Sequence, residues 1–262
     1  MKKLLCIICA AATMFGLAPA FAQTAGVLGD LGLEVTGDVS YFSQYVWRGF
    51  VLDRDEVIQP GFYLSNQDKG YGKLSLKLWS SHDMENEDTL HSDEVDYIVD
   101  YTYLLKGVGL SLGHTYYDFT ETSTHSKEWY VGVTAPVYTL ASLKGTTVSP
   151  SVYFYRDYGH PSDGGGLGTY LVANLATSTP VAVGKYACSF DLSGHYGWNR
   201  ELFIAGKGGD LGLQAAFTVP ATPNMTISPN VNYSRPFADL KKADDGNQKT
   251  RTYCGVTVKY KF

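Results

Sequence analysis

The closing stretch, Thr250 to Phe262, alternates without interruption. Thr252, Cys254, Val256, Val258, Tyr260 and Phe262 share one parity, while Arg251, Tyr253, Gly255, Thr257, Lys259 and Lys261 share the other. A period of two with one apolar and one polar face predicts a β-strand. Comparable alternation recurs at 33–47, 57–66, 71–81, 93–103, 108–118, 127–138, 146–158, 167–178, 186–199, 210–219 and 224–234, which makes twelve strands in all. Two of these are weaker. Pro60 cannot donate to a ladder, so a bulge or local break is expected there, and residues 167–178 carry apolar residues on both parities.

The connections have a rhythm of their own. Those after the odd-numbered strands are the longer and more polar, and those after the even-numbered strands are short. An even count, alternating loop lengths and a terminal aromatic strand predict an all-β fold, an antiparallel transmembrane β-barrel of twelve strands in a bacterial outer membrane, with both termini periplasmic. Trp47, Trp79, Trp129 and Trp198 fall at the long-loop ends of their strands, where an interfacial aromatic belt is expected; Trp79 lies on the lumen parity, which suits a rim or plug contact instead.

Composition adds to this picture at the N-terminus. Lys2 and Lys3, an apolar run from Leu4 to Leu17 and the small residues of Ala18-Pro19-Ala20-Phe21-Ala22 predict a signal peptide over 1–22, cleaved before Gln23. Its apolar part is shorter than the roughly 20 residues a membrane helix needs. Loss of Lys2 and Lys3 takes the formal charge from −5 to −7. That acidity, without any Lys/Arg block, excludes nucleic acid as a natural partner. Cys188 and Cys254 remain in the mature chain and are read as separate thiols on the apolar parity, although one disulfide is open to them. The 20 tyrosines and 28 glycines suit aromatic strands divided by turns.

Three segments also carry a family likeness. They are Tyr45-Val46-Trp47-Arg48-Gly49 followed by Gln59-Pro60-Gly61-Phe62, then Glu128-Trp129-Tyr130-Val131-Gly132-Val133, then Pro150 to Tyr158. In these the chain resembles a bacterial exported family labelled Gcw_chp, whose members look like short outer-membrane barrels. The resemblance implies fold and location and carries no chemistry.

Candidate chemistry lies on the polar parity. Glu34, Asp38, Glu94, Asp96, Asp100, Asp157, Asp191 and Asp210 supply lumen acids, and Lys73, Lys77, Arg251, Lys259 and Lys261 supply bases. Arg48 is placed at the rim, with Asp53, Asp55 or an acid of a neighbouring strand as its partner; a structural ion pair and a role in gating both fit. Asp191, Ser193 and His195 line one strand face at steps of roughly 6.6–7 Å, too far for the 2.6–3.2 Å contact of a nucleophile and its base. No spacing predicts a metal site, and no glycine pattern predicts a phosphate loop, so neither enzyme nor cofactor is expected. Mixed lumen charge without an arginine ladder predicts a narrow porin for small neutral or cationic solutes. The alternatives are a closed structural or partner-binding barrel and, behind it, a barrel hydrolase. The partners implied are outer-membrane lipid, periplasmic chaperones, the barrel-assembly machinery and small solutes; a homo-oligomer stays open.

Overall fold

The computed structural model describes residues 29, 31–84, 93–120, 122–246 and 248–262. The signal peptide at 1–22, the lead-in to residue 28 and most of the acidic loop at 82–92, His91 included, lie outside the described residues.

Twelve antiparallel strands close into a barrel. In ring order they are β1 (Leu33–Phe42), β4 (Val57–Asn66), β5 (Lys73–Asp83), β6 (Glu94–Leu105), β7 (Val108–Phe119), β8 (Thr124–Thr134), β10 (Thr146–Asp157), β11 (Thr169–Val183), β12 (Tyr186–Arg200), β13 (Lys207–Thr222), β14 (Met225–Ala238) and β15 (Arg251–Lys261). The terminal strand closes the ring by pairing with the first, Thr36 opposite Lys261 and Phe42 opposite Gly255. β9 (Tyr138–Leu140) is a short addition that pairs with the start of β10. Two further short strands, β2 (Tyr45–Trp47) and β3 (Phe50–Asp53), pair only with each other.

The burial pattern is inverted relative to a water-soluble protein. Leu112, Leu175, Leu213 and Val231 are about half exposed, while Ser126, Glu128, Asp157, Asn199 and Asp210 are buried. A contiguous apolar exterior around a polar interior is what lipid selects for in a barrel. No helix among the described residues is long and apolar enough to cross a membrane.

Several expectations change in detail. Strand one ends at Phe42, not Trp47: Ser43 still bonds to Cys254, and then the chain turns inward. Of the two disturbances expected at Pro60, the local break is present and the bulge is not. Pairing with β5 is lost at Gln59 and Pro60 but resumes in the same register, with Ile58 opposite His82 and Gly61 opposite Trp79. A missing N–H costs ladder bonds without forcing an extra residue. β13 and β14 run on through Lys207 and Ala238, and the loop expected at 235–249 contains a helix, α1 (Asp239–Gly246). The loop rhythm holds with two exceptions. β7 ends at Phe119 and β8 begins at Thr124, a short interval, and residues 135–145 form a long connection at the opposite end, where β9 lengthens the sheet. The turn at Lys106-Gly107 joins β6 to β7 with positive φ at both residues, the type I′ pattern favoured by the twist of a hairpin.

Candidate functional site

The hairpin β2–β3 lies inside the barrel. Its turn is Arg48-Gly49, with Trp47 paired to Phe50 and φ of +46° and +80° at the two central residues. Positive φ at both is again the type I′ signature, in which glycine is at ease and arginine is not. At the hairpin base Gln44 Nε2 donates to the Arg54 carbonyl. The excursion leaves the wall between β1 and β4, and its tip meets β8, β10 and β11, which stand on the far side of the ring. It therefore spans the lumen from wall to wall.

Arg48 makes the contact across the barrel. Its Nη1 donates to Glu128 Oε2 at 2.6 Å and its Nη2 to Glu128 Oε1 at 2.9 Å, a fork-to-fork pair. Tyr117 donates its hydroxyl to the same Oε1 at 2.9 Å. The guanidinium carbon stands 4.4, 4.1 and 4.8 Å from the ring centres of Trp47, Tyr155 and Tyr170. Burial works to deprotonate Arg48, but the Glu128 carboxylate outweighs it and holds the group above its ordinary value. Tyr170 is itself fixed, donating to Asp210 Oδ1 at 2.8 Å, and the other oxygen of Asp210 pairs with His195 Nε2 at 2.7 Å.

The remaining hairpin contacts come from the strands and loops around it. Tyr45 donates to Glu94 Oε2 at 3.0 Å and packs against Trp79. The Val51 amide donates to Gln248 Oε1 at 2.7 Å. Leu202 is buried, its backbone bracketed by the Asn199 side chain, and Phe203 beside it meets Trp47 and Phe50 edge-on. Leu240 of α1 is likewise buried, with Gly49 beneath it. A Cβ on Gly49 would stand 2.6 Å from Asp210 Cβ and 2.8 Å from Leu240 Cδ2. Gly49→Ala is therefore expected to weaken seating of the hairpin by at least about 1 kcal/mol, from the left-handed backbone alone. Faster protease nicking within 43–56, with the barrel still folded, checks this; an unchanged rate would show that the tip is loose.

The hairpin has a cavity on either side. One of about 480 Å³ is lined by Lys77, Asp96, Asp100, Glu128, Tyr130, Tyr153 and the underside of the hairpin. The other, of about 220 Å³, is lined by Ser193, His195, Asp210, Gln214, Asn232 and Tyr253.

Arg48, Glu94, Asp96, Asp100 and Lys77 are thus gathered around the hairpin and the larger cavity. Glu94 holds Tyr45, and Asp100 accepts from Tyr130 at 2.7 Å. Lys73 and Asp191 stand apart. Lys73 pairs with Glu34 at 3.0 Å near the start of β1, and Asp191 accepts from Ser178, Ser189 and Thr218. Arg48 is not at the rim, and its acid is neither Asp53 nor Asp55, because the inward turn carries it away from both to Glu128. Trp47 leaves the expected aromatic belt for the same reason, whereas Trp129 and Trp198 are exposed on the outer face. Trp79 makes the plug contact. His195 bonds to Asp210 and Asp191 bonds elsewhere, so Asp191, Ser193 and His195 form no relay. Among the described residues no three His, Cys, Asp or Glu side chains converge as a metal site, and Cys188 and Cys254 are free thiols.

No family model matches the chain, and no curated protein matches it. Solved structures do. A KdgM porin is 12% identical over 87% of this chain and 99% of its own, with a TM-score of 0.50. A NanC porin is 9% identical over 86% and 100%, with a TM-score of 0.52. An outer-membrane channel from Pseudomonas putida F1 is 10% identical over 87% and 95%, with a TM-score of 0.50. At such identities the likeness is one of fold: the chain has the twelve-stranded closed barrel of the porin and channel class of outer-membrane proteins.

Proposed function

We propose that the protein is a narrow outer-membrane channel for small neutral or cationic solutes, with the β2–β3 hairpin as its constriction and with both termini periplasmic. The observation that carries this reading is the lumen itself. It is polar on both sides of the hairpin, and the larger cavity presents Asp96, Asp100 and Glu128 against Lys77 and Arg48. Glu128 and Arg48 neutralise each other at 2.6 Å, which leaves Asp96 and Asp100 facing Lys77. An excess of acid at a constriction favours cations over anions. Kinship with the Gcw_chp family is proposed on the same ground as before. The Trp-Arg-Gly part of that likeness forms the hairpin turn, and the buried Gln59 of Gln-Pro-Gly-Phe bonds Ser81 on the wall beside it.

The test is the reversal potential of the folded barrel in a planar bilayer across a salt gradient. A sign favouring cations is expected, moving toward zero in Asp96→Asn/Asp100→Asn. Folding is confirmed by heat-modifiable gel migration. Folded wild type without conductance steps, together with a hairpin-deleted form equally silent, would replace the channel with a closed structural or partner-binding barrel.

A further inference from the structure

We propose that the pocket gripping Arg48 is a guanidinium-binding site with a tethered occupant, and that a free guanidinium-bearing solute competes for it. Apart from Trp47, whose ring the hairpin itself places 4.4 Å from the guanidinium carbon, the groups named around the guanidinium belong to the barrel wall. Glu128 presents both carboxylate oxygens, Tyr117 fixes that carboxylate through Oε1, and the rings of Tyr155 and Tyr170 stand 4.1 and 4.8 Å from the guanidinium carbon on adjacent sides. Two parallel acceptors beside aromatic rings match a planar fork of N–H donors. An ammonium meets the charge but not the geometry.

Two features make the tether displaceable. Arg48 is held at φ +46°, a conformation that a residue with a Cβ adopts only at a cost, so part of the binding energy of its side chain is spent on its own backbone. The site also has an approach, because Arg48, Glu128, Tyr117 and Tyr155 all border the 480 Å³ cavity that Asp96 and Asp100 line as well. Against this stands the high effective concentration of a tethered group, so a free solute must be abundant to win. The inference rests on the channel reading for the route by which the solute arrives, and it names guanidinium compounds as the class that both binds and unlatches the hairpin.

The experiment titrates the folded, detergent-solubilised chain with methylguanidinium chloride, and with methylammonium chloride as control, by calorimetry. Arg48→Ala vacates the receptor and is expected to bind methylguanidinium at least about tenfold more tightly than methylammonium and than the wild type binds methylguanidinium, about 1.4 kcal/mol in each comparison. Glu128→Gln added to Arg48→Ala is expected to abolish that preference. Arg48→Gln, which keeps the length of the side chain without its charge, serves as the second vacated form should Arg48→Ala fail to give a heat-modifiable barrel. Equal affinity for the two cations, equal affinity of wild type and vacated form, or indifference to Glu128→Gln each overturns the proposal. These readouts are independent of conductance. A cation-selective channel without guanidinium preference leaves the channel reading standing and removes the site. Guanidinium binding by a barrel that never conducts does the reverse.

Discussion

Replacement of Tyr45–Asp53 by a short Gly-Ser linker is expected to raise single-channel conductance several-fold while leaving the barrel folded. The wall does not depend on the hairpin for its ladders. β1 pairs with β4 from Leu33–Asn66 to Phe42–Val57 and with β15 along its other edge, and neither pairing includes residues 45–53. Removal of the hairpin deletes the one described segment that crosses from the β1–β4 side to β8, β10 and β11, so the spaces of about 480 and 220 Å³ on its two sides become one. The deletion also strips Glu128 of its cation. Cation selectivity is therefore expected to rise together with conductance, because one more uncompensated acid faces the merged lumen. Planar-bilayer recording checks both. A conductance equal to wild type would mean that ions bypass the hairpin and that it is a prop, not a constriction.

The barrel was legible in the sequence because alternation is enforced from two sides. Lipid demands an apolar outer parity, a wet lumen tolerates almost any inner one, and a slip by one residue would reverse every side chain. Where the lumen is not wet, the rule fails, and those places are the informative ones. Residues 167–178 are apolar on both parities because Tyr170 and Val172 face inward against Leu202, Trp47, Tyr153 and Tyr155. They line the seat of the plug. The turn was legible in principle too. Trp47-Arg48-Gly49-Phe50 places a glycine between aromatic residues at the end of an alternating run, a hairpin signal, but alternation up to Trp47 imitates a longer wall strand. Glu128 shares the parity of Tyr130, Gly132 and Thr134, but in that strand the legible contrast lies in Trp129, Val131 and Val133 on the other face, so alternation alone does not single it out as a lumen acid. Its partner lies 80 positions away in sequence, and no local pattern links the two.

The largest single-residue effect is expected at Glu128. Glu128→Gln keeps the size of the side chain, removes its charge and turns one of its two acceptors into a donor facing a guanidinium that only donates. Arg48 is then a buried cation without its anion, its side chain only 10% exposed, and the penalty for such a group is roughly 3–5 kcal/mol. The cation–π contacts with Tyr155 and Tyr170 offset only about 1–2 kcal/mol of it. What still holds the hairpin is the Tyr45–Glu94 bond, the Val51–Gln248 bond and the packing of Phe203 and Leu240, each near the long loops at one end of the barrel and none beneath the tip. The tip is expected to lift while the wall stays shut. Hydrogen exchange across the turn paired at Trp47 and Phe50 reports this, since 3 kcal/mol corresponds to a loss of protection of roughly two powers of ten, and the amides paired between β1 and β15 serve as the unmoved reference. Arg48→Met combined with Glu128→Leu removes both charges at once and is expected to restore most of the protection, because an apolar pair leaves no ion unpaired. Full protection in Glu128→Gln alone would show that the ion pair is incidental to the hairpin. Failure of the double substitution to rescue would show instead that the fork geometry, and not merely charge balance, holds the plug across the lumen.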